Sequence, residues 1–283
     1  MADPRLYHEL VTPPAGAPDA WLYILPGIFG SGRNWATVAR RLVAERPDWA
    51  VVLVDLRQHG GSQGFGPPHS LQTAAGDVHR LADVTERPMS AVLGHSFGGK
   101  VALELAPLEP PPADVWIIDS TPEAREPGGS AWSMLSVLRA LPPAFGSRDE
   151  AVQAMQARGI EAATAQWMAT NLERVDSAMR WRFELPAMEA LLLDFFRTDA
   201  WPVVRNPPGQ VRLHFVRASQ SSVMSSDTAE RIQRANARVT LHTLEGGHWL
   251  NADNPAAVVS LLARELPSHA DARQGGARPQ ESQ

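Results

Sequence analysis

The chain has 283 residues, 44% of them hydrophobic, and is therefore long enough to bury the core of one large α/β domain or two small ones. Its 26 basic and 31 acidic residues give a net charge of −5, and because Lys and Arg form no cluster or basic helix face, nucleic acid is not an expected partner. The absence of cysteine excludes disulfides, thiol nucleophiles and Cys-ligated metals, and it is compatible with a reducing compartment.

Short apolar runs alternate with helix-length amphipathic segments along the chain. The runs that predict strands are WLYILPG (21–27), WAVVLVD (49–55), MSAVLG (89–94), DVWIID (114–119), VRLHFV (211–216) and RVTLHTLE (238–245). The segments that predict helices are 34–46, 71–86, 97–108, 226–235 and 254–266. This alternation is typical of an α/β fold, with a mostly parallel sheet flanked by helices. No run approaches the roughly 18 apolar residues of a membrane span and no leader pattern opens the chain, so we expect a cytoplasmic protein.

One long segment interrupts this alternation. Between 123 and 204 we find no strand signal, and the breaks EPGGS, LPPAFGS and ELP divide the segment into several predicted helices. We therefore predict an α/β core formed by 1–122 and 205–266, with a helical cap at 123–204. The last segment, 267–283, is polar and contains Gly and Pro, which predicts a disordered tail.

A serine surrounded by glycines follows the third predicted strand. The stretch Gly94-His95-Ser96-Phe97-Gly98 matches G-x-S-x-G and lies between a strand and a helix, the context in which this motif forms a sharp, strained turn. The turn projects the serine hydroxyl above the carboxyl end of the sheet, where open α/β folds bind ligands. We interpret Ser96 as a nucleophile, and the alternative is a tight turn with a structural role only.

A serine hydroxyl needs a base that is itself oriented by a third group. In the chain order Ser, acid, His, the base lies near the C-terminus, and His248 in EGGHWLNADNP follows the last predicted strand and precedes the last helix. We predict that His248 is the general base, the alternative being a surface hydrogen-bonding residue. We expect His95 to pack beneath the serine turn and His59 to brace a turn.

Five stretches of this chain together resemble the α/β-hydrolase superfamily. Within it they are similar to the group that contains small bacterial acyl esterases and abhydrolase domain-containing protein eleven. The stretches are PGIFGSGRNW (26–35), VDLRQHGGS (54–62), LGHSFGGK (93–100), IIDSTP (117–122) and GGHWLNADNP (246–255). The resemblance implies an α/β-hydrolase fold and a serine hydrolase of carboxylic esters, with thioesters left open, that uses no cofactor and no metal.

The acid of the catalytic set departs from the commonest α/β-hydrolase pattern. The loop that usually supplies it reads RASQSSVMSSD, with Ser221 at the expected carboxylate position. The resembling group instead implies an acid in the motif IDSTP, which is Asp119 here. Asp227 is the alternative acid, and its other possible role is to cap the helix that follows. We expect Ser221 to be a hydrogen-bonding residue behind the catalytic set.

Two backbone amides are expected to form the oxyanion hole. One is that of Phe97, which follows the nucleophile and opens a helix whose dipole favours an anion. The other is that of Ile28, in the loop after the first predicted strand. The resembling family commonly has His-Gly in this loop, whereas this chain has Pro26-Gly27, so the loop lacks the support of that imidazole.

The predicted cap contains four of the nine tryptophans and five of the eight methionines. Such a lid suits an acyl chain, although most of these residues are expected only to pack the cap. We therefore expect small-molecule, uncharged esters with short to medium acyl chains, bound partly by Phe29 and Trp249, and a monomer or small homo-oligomer.

Three alternatives remain open from the sequence. A lyase or C–C bond hydrolase uses the same residues, and the eight arginines of the cap leave room for its anionic substrate. A cofactor-free haloperoxidase-like perhydrolase also has this fold. A non-enzymatic ligand sensor would bind without turnover.

Overall fold

The computed structural model describes residues 5–15 and 17–268. Its strands are β1 (His8–Val11), β2 (Ala20–Leu25), β3 (Trp49–Val54), β4 (Met89–His95), β5 (Asp114–Ile118), β6 (Leu172–Val175), β7 (Ala178–Trp181), β8 (Arg212–Ala218) and β9 (Val239–Leu244). Its α-helices are α1 (Ala36–Glu45), α2 (Leu71–Thr85), α3 (Phe97–Leu105), α4 (Gly129–Arg139), α5 (Arg148–Gln156), α6 (Ala162–Ala169), α7 (Leu185–Arg197), α8 (Trp201–Arg205), α9 (Ser226–Gln233), α10 (Leu250–Asp253) and α11 (Pro255–Glu265). Within these ranges no helix is both long and apolar enough to cross a bilayer.

The six predicted core strands form one seven-stranded sheet together with β1. Its order is β1-β3-β2-β4-β5-β8-β9, and every neighbouring pair is parallel except β1 with β3. The central strands are buried on both faces, which explains their almost continuous apolar sequences. The edge strand β1 was not predicted, because its four residues, HELV, are only partly buried and lack a clear apolar pattern.

Helices cover both faces of this sheet. Alternate residues of β2 enter two separate cores: Leu22 and Ile24 pack in the core that includes α1 and α11, whereas Tyr23 and Leu25 pack in the core that includes α2 and α3. This two-residue period follows from the opposite directions of successive side chains in a strand. Because helices and loops occupy both faces, the carboxyl edge of the sheet is the place left for a site.

The segment between β5 and β8 contains five helices, α4 to α8, among its described residues, as the sequence predicts in part. The expectation that it lacks strands is wrong, because β6 and β7 pair as an antiparallel hairpin. The hairpin strands are short and mostly exposed on one side, so their sequences carry little apolar alternation. Helix α7 packs against α2 and α3, which seats the segment over the carboxyl edge of the sheet.

The chain end was predicted to be disordered from 267. Pro267 lies against the core, where its carbonyl oxygen accepts hydrogen bonds from Arg46 Nη2 at 2.6 Å and Trp49 Nε1 at 3.1 Å. Residues 269–283 lie outside the described part of the chain. The division into core and cap at 122/123 and 204/205 stays a prediction.

Candidate active site

Ser96 lies at the sharp turn between β4 and α3. Its backbone has φ 53° and ψ −112°, a conformation that L-residues rarely adopt. The flanking glycines permit the turn, because a Cβ on Gly94 would overlap the carbonyl group of Gly98, and a Cβ on Gly98 would lie 2.5 Å from the carbonyl oxygen of Pro26. The strand, the helix and the loop after β2 therefore meet at the serine without intervening side chains.

Asp119 and His248 are joined beside this turn. The carboxylate of Asp119 is fully buried after β5, and its Oδ2 accepts a hydrogen bond from His248 Nδ1 at 2.7 Å. Its Oδ1 accepts a second bond from the Ala218 N–H at 3.2 Å. The Ser96 N–H donates to the Ile118 carbonyl at 2.9 Å, which aligns the ends of β4 and β5. With its proton on Nδ1, the imidazole keeps Nε2 free to accept one.

The two predicted oxyanion donors lie at the same edge. Neither the Ile28 nor the Phe97 N–H donates to any residue that the structure describes. The loop after β2 places Phe29 at φ 61°, and the Phe29 carbonyl accepts a hydrogen bond from Asn171 Nδ2 at 2.9 Å. Asn171 is buried and follows α6. The segment between β5 and β8, called the inserted segment below, therefore supports this loop although Pro26 replaces the family histidine. Sequence reasoning missed Asn171.

One cavity of about 350 Å³ brings most of the predicted residues together. Ile28, Phe29, Ser96, Phe97, His248 and Trp249 all line it. The rest of its wall is largely apolar and comes from the inserted segment, including Met134, Trp167, Leu192, Phe195 and Phe196. The space beside Ser96 can therefore hold a small molecule with an apolar portion.

The alternative acid lies elsewhere. Asp227 is exposed in the first turn of α9, where Ser225 already caps the helix by accepting from the Thr228 N–H at 3.1 Å. Ser221 Oγ accepts a hydrogen bond from the Val223 N–H at 3.2 Å and makes no described bond to the site. The structure thus brings Asp119 to His248 and leaves Asp227 apart.

The alpha/beta hydrolase family model matches residues 22–261, which is most of the chain. The chain belongs to the alpha/beta hydrolase family. The sn-1-specific diacylglycerol lipase ABHD11 of Mus musculus is 28% identical over 253 residues, covering 86% of this chain and 80% of its own. Esterase YbfF of Escherichia coli is 24% identical over 247 residues, covering 87% of this chain and 92% of its own.

A solved structure of a marine microorganism esterase superposes with a TM-score of 0.78. It is 22% identical and covers 93% of this chain and 99% of its own. The superposition supports the α/β-hydrolase fold alone. The fold and family expected from the motifs are therefore confirmed.

Two buried histidines support this alpha/beta hydrolase site but do not belong to the proposed catalytic set of Ser96, His248 and Asp119. His95 lies beneath the serine turn, as predicted, and its Nε2 donates to the His248 carbonyl at 2.8 Å. Burial lowers the pKa of His95 to about 3, so the ring stays neutral. His59 donates from Nδ1 to the Arg57 carbonyl at 2.8 Å and stacks on Phe97, and burial lowers its pKa to about 4.

A buried lysine on the nucleophile helix attaches the inserted segment to the core. Lys100 Nζ donates to the carbonyl oxygens of Glu123, Phe195 and Thr198 at 2.6, 2.7 and 2.9 Å. Burial lowers its pKa to about 8. Its place in GGK was visible in the sequence, but its three distant partners were not. Among the described residues, no three His, Asp or Glu side chains converge as a metal ion would require.

Proposed function

We propose that the protein hydrolyses carboxylic esters with short to medium acyl chains through an acyl-enzyme on Ser96, with thioesters as the alternative substrate class. The main support is the 2.7 Å bond between His248 Nδ1 and Asp119 Oδ2 at the wall of a cavity that also contains Ser96. The family relatives named as esterases and lipases support ester hydrolysis.

The acylation step begins when the Ser96 hydroxyl attacks the ester carbonyl carbon. His248 Nε2 accepts the hydroxyl proton as the Oγ–C bond forms, and the carbonyl electron pair moves to oxygen. Asp119 holds the imidazole with its proton on Nδ1 and stabilises the imidazolium that results. When the intermediate collapses, His248 gives the proton to the departing alcohol oxygen.

The negative charge of the intermediate needs donors that are already in place. The Ile28 and Phe97 amides have no described partner and line the cavity beside Ser96, so they are the proposed donors. Such a donor contributes roughly 3–4 kcal/mol to a transition state. Water then attacks the acyl-enzyme with His248 as base, releasing the acid and restoring Ser96.

The test is hydrolysis of p-nitrophenyl esters from acetate to long acyl chains by the wild type and Ser96→Ala, with fluorophosphonate labelling of both. Serine-dependent turnover that is fastest on short to medium chains is expected, together with labelling lost in Ser96→Ala. Labelling without turnover would favour the lyase or C–C hydrolase alternative. Turnover that persists in Ser96→Ala would contradict the proposal.

A further inference from the structure

The cavity beside Ser96 contains a single strong cation. Among its described lining residues, Arg125 is the only Lys or Arg, and no Asp or Glu is present. The other arginines of the inserted segment do not line this cavity, and several have partners of their own: Arg139 pairs with Glu189, and Arg148 and Arg158 donate to backbone carbonyls. The positive charge in the cavity is therefore specific to one position.

The guanidinium of Arg125 lies on aromatic rings and is not paired with an acid. It is 5.4 Å from the ring centre of Phe196 and 5.9 Å from that of Phe195, and no described residue accepts a hydrogen bond from it. The carboxylate of Glu123, two residues away, already binds Arg231 at 2.9 Å. A guanidinium has five N–H donors in a planar fork that matches a carboxylate, and here the fork remains available to a ligand.

The main chain holds Arg125 in place. Its N–H donates to the Phe196 carbonyl at 2.8 Å, and Phe196 belongs to α7, which is itself bonded to Lys100 through the Phe195 carbonyl. The main chain of Arg125 is thus attached to a fixed part of the wall, and its side chain, which is exposed to solvent, lines the cavity.

The position of Arg125 relative to the reacting atoms indicates which part of an ester it meets. His248 protonates the leaving alcohol, so the alcohol lies on the side of His248 and Trp249. Arg125 is linked to the nucleophile turn through aromatic rings: the ring centre of Phe97, the residue after Ser96, is 5.9 Å from that of Phe195, and the Arg125 guanidinium lies 5.9 Å from the Phe195 ring centre. We infer that Arg125 faces the acyl side of a bound ester. The apolar wall formed by Phe97 and Phe195 suits the methylene groups of an acyl chain.

We propose that Arg125 binds a carboxylate at the far end of the acyl chain, so that the preferred substrates are monoesters of dicarboxylic acids. This inference rests on the proposed function and differs from the uncharged ester expected from the sequence. The carboxylate takes no part in bond breaking; it orients the chain with two charge-assisted hydrogen bonds.

The test compares monoethyl adipate with ethyl adipamate, its neutral amide analogue, by ethanol release. We expect kcat/KM to be about ten-fold higher for the acid in the wild type and about equal for the two in Arg125→Gln, with part of the preference retained in Arg125→Lys. Arg180→Gln is the matched control, since Arg180 is an exposed arginine of β7 outside the cavity. Because the site is open to water, added salt should reduce the preference.

A third ester, carboxymethyl butyrate, places the carboxylate on the alcohol. The proposal would be overturned by equal kcat/KM values for monoethyl adipate and ethyl adipamate in the wild type, or by a preference for the acid that survives Arg125→Gln. It would also be overturned by a higher kcat/KM for carboxymethyl butyrate than for monoethyl adipate. Calorimetry of monoethyl adipate with Ser96→Ala, with and without Arg125→Gln, measures binding apart from turnover. Arg125-dependent binding without wild-type turnover would contradict the proposed function and support the subsite, whereas Arg125-independent binding or no binding would refute the subsite.

Discussion

Asp119→Asn replaces the buried carboxylate with an amide of nearly the same shape. The Ala218 N–H donates to Oδ1, so the amide oxygen is expected to stay there and the new NH₂ group to face His248 Nδ1. Because an NH₂ group cannot accept a proton, Nδ1 must become the acceptor and the imidazole must carry its proton on Nε2. In that tautomer His248 cannot take the proton of Ser96.

The expected loss follows from the 2.7 Å contact between His248 and Asp119. Two unit charges at that distance attract by roughly 6 kcal/mol at an effective dielectric constant of 20. The wrong tautomer in a comparable triad lowers kcat about 10⁴-fold, which corresponds to about 5.4 kcal/mol. The two magnitudes agree, and we expect kcat/KM to fall about 10⁴-fold.

The assay is kcat/KM for p-nitrophenyl butyrate, with thermal unfolding followed by circular dichroism to confirm that each variant folds. Asp227→Asn is the matched control, and because Asp227 is exposed on α9 its kcat/KM should stay within about two-fold of the wild type. A kcat/KM of Asp119→Asn at a tenth of the wild-type value or more, or a larger loss in Asp227→Asn than in Asp119→Asn, would refute the role of Asp119 as the orienting acid.

Three further changes probe the supports of the site. Gly98→Ala places a Cβ 2.5 Å from the Pro26 carbonyl oxygen and displaces the oxyanion loop, so kcat should fall about 100-fold; a normal kcat would contradict the close approach. Lys100→Met leaves three carbonyls without their donor, which should lower the free energy of unfolding in urea by about 3 kcal/mol; no loss would contradict this. His59 and His95 have folded pKa values of about 4 and about 3 against 6.5 unfolded. Below pH 6.5 the unfolded chain therefore binds more protons, and these two groups together should lower the free energy of unfolding by up to about 2.7 kcal/mol per pH unit as the pH falls; His59→Gln should remove about half of that contribution, and an unchanged slope would exclude His59 as one of its sources.

The core of the fold was predictable because its strands are buried on both faces. Such strands are continuous apolar runs, and five of the six that were predicted form the interior of the sheet, whereas the sixth, β9, is a partly buried edge strand. The strands that escaped prediction, β1 and the hairpin β6–β7, have four residues each and are half exposed. Their pairing depends on partners that the local sequence does not indicate.

The site divides in the same way. Ser96 and His248 were predicted from local motifs and chain order, and Asp119 from a family resemblance. Asn171 was missed because its partner Phe29 is 142 residues away, and no local pattern marks a buried asparagine for such a bond. The contact of Arg125 with the rings of α7 is likewise a product of tertiary packing.

The proposed mechanism requires a covalent acyl-enzyme on Ser96. Acid quenching of wild-type enzyme during turnover of p-nitrophenyl butyrate, followed by peptide mass spectrometry, tests it directly. We expect a butyryl group on the peptide containing Ser96, absent from Ser96→Ala and absent once substrate is exhausted. Turnover with no acyl group on that peptide, or with the group on another residue, would contradict it.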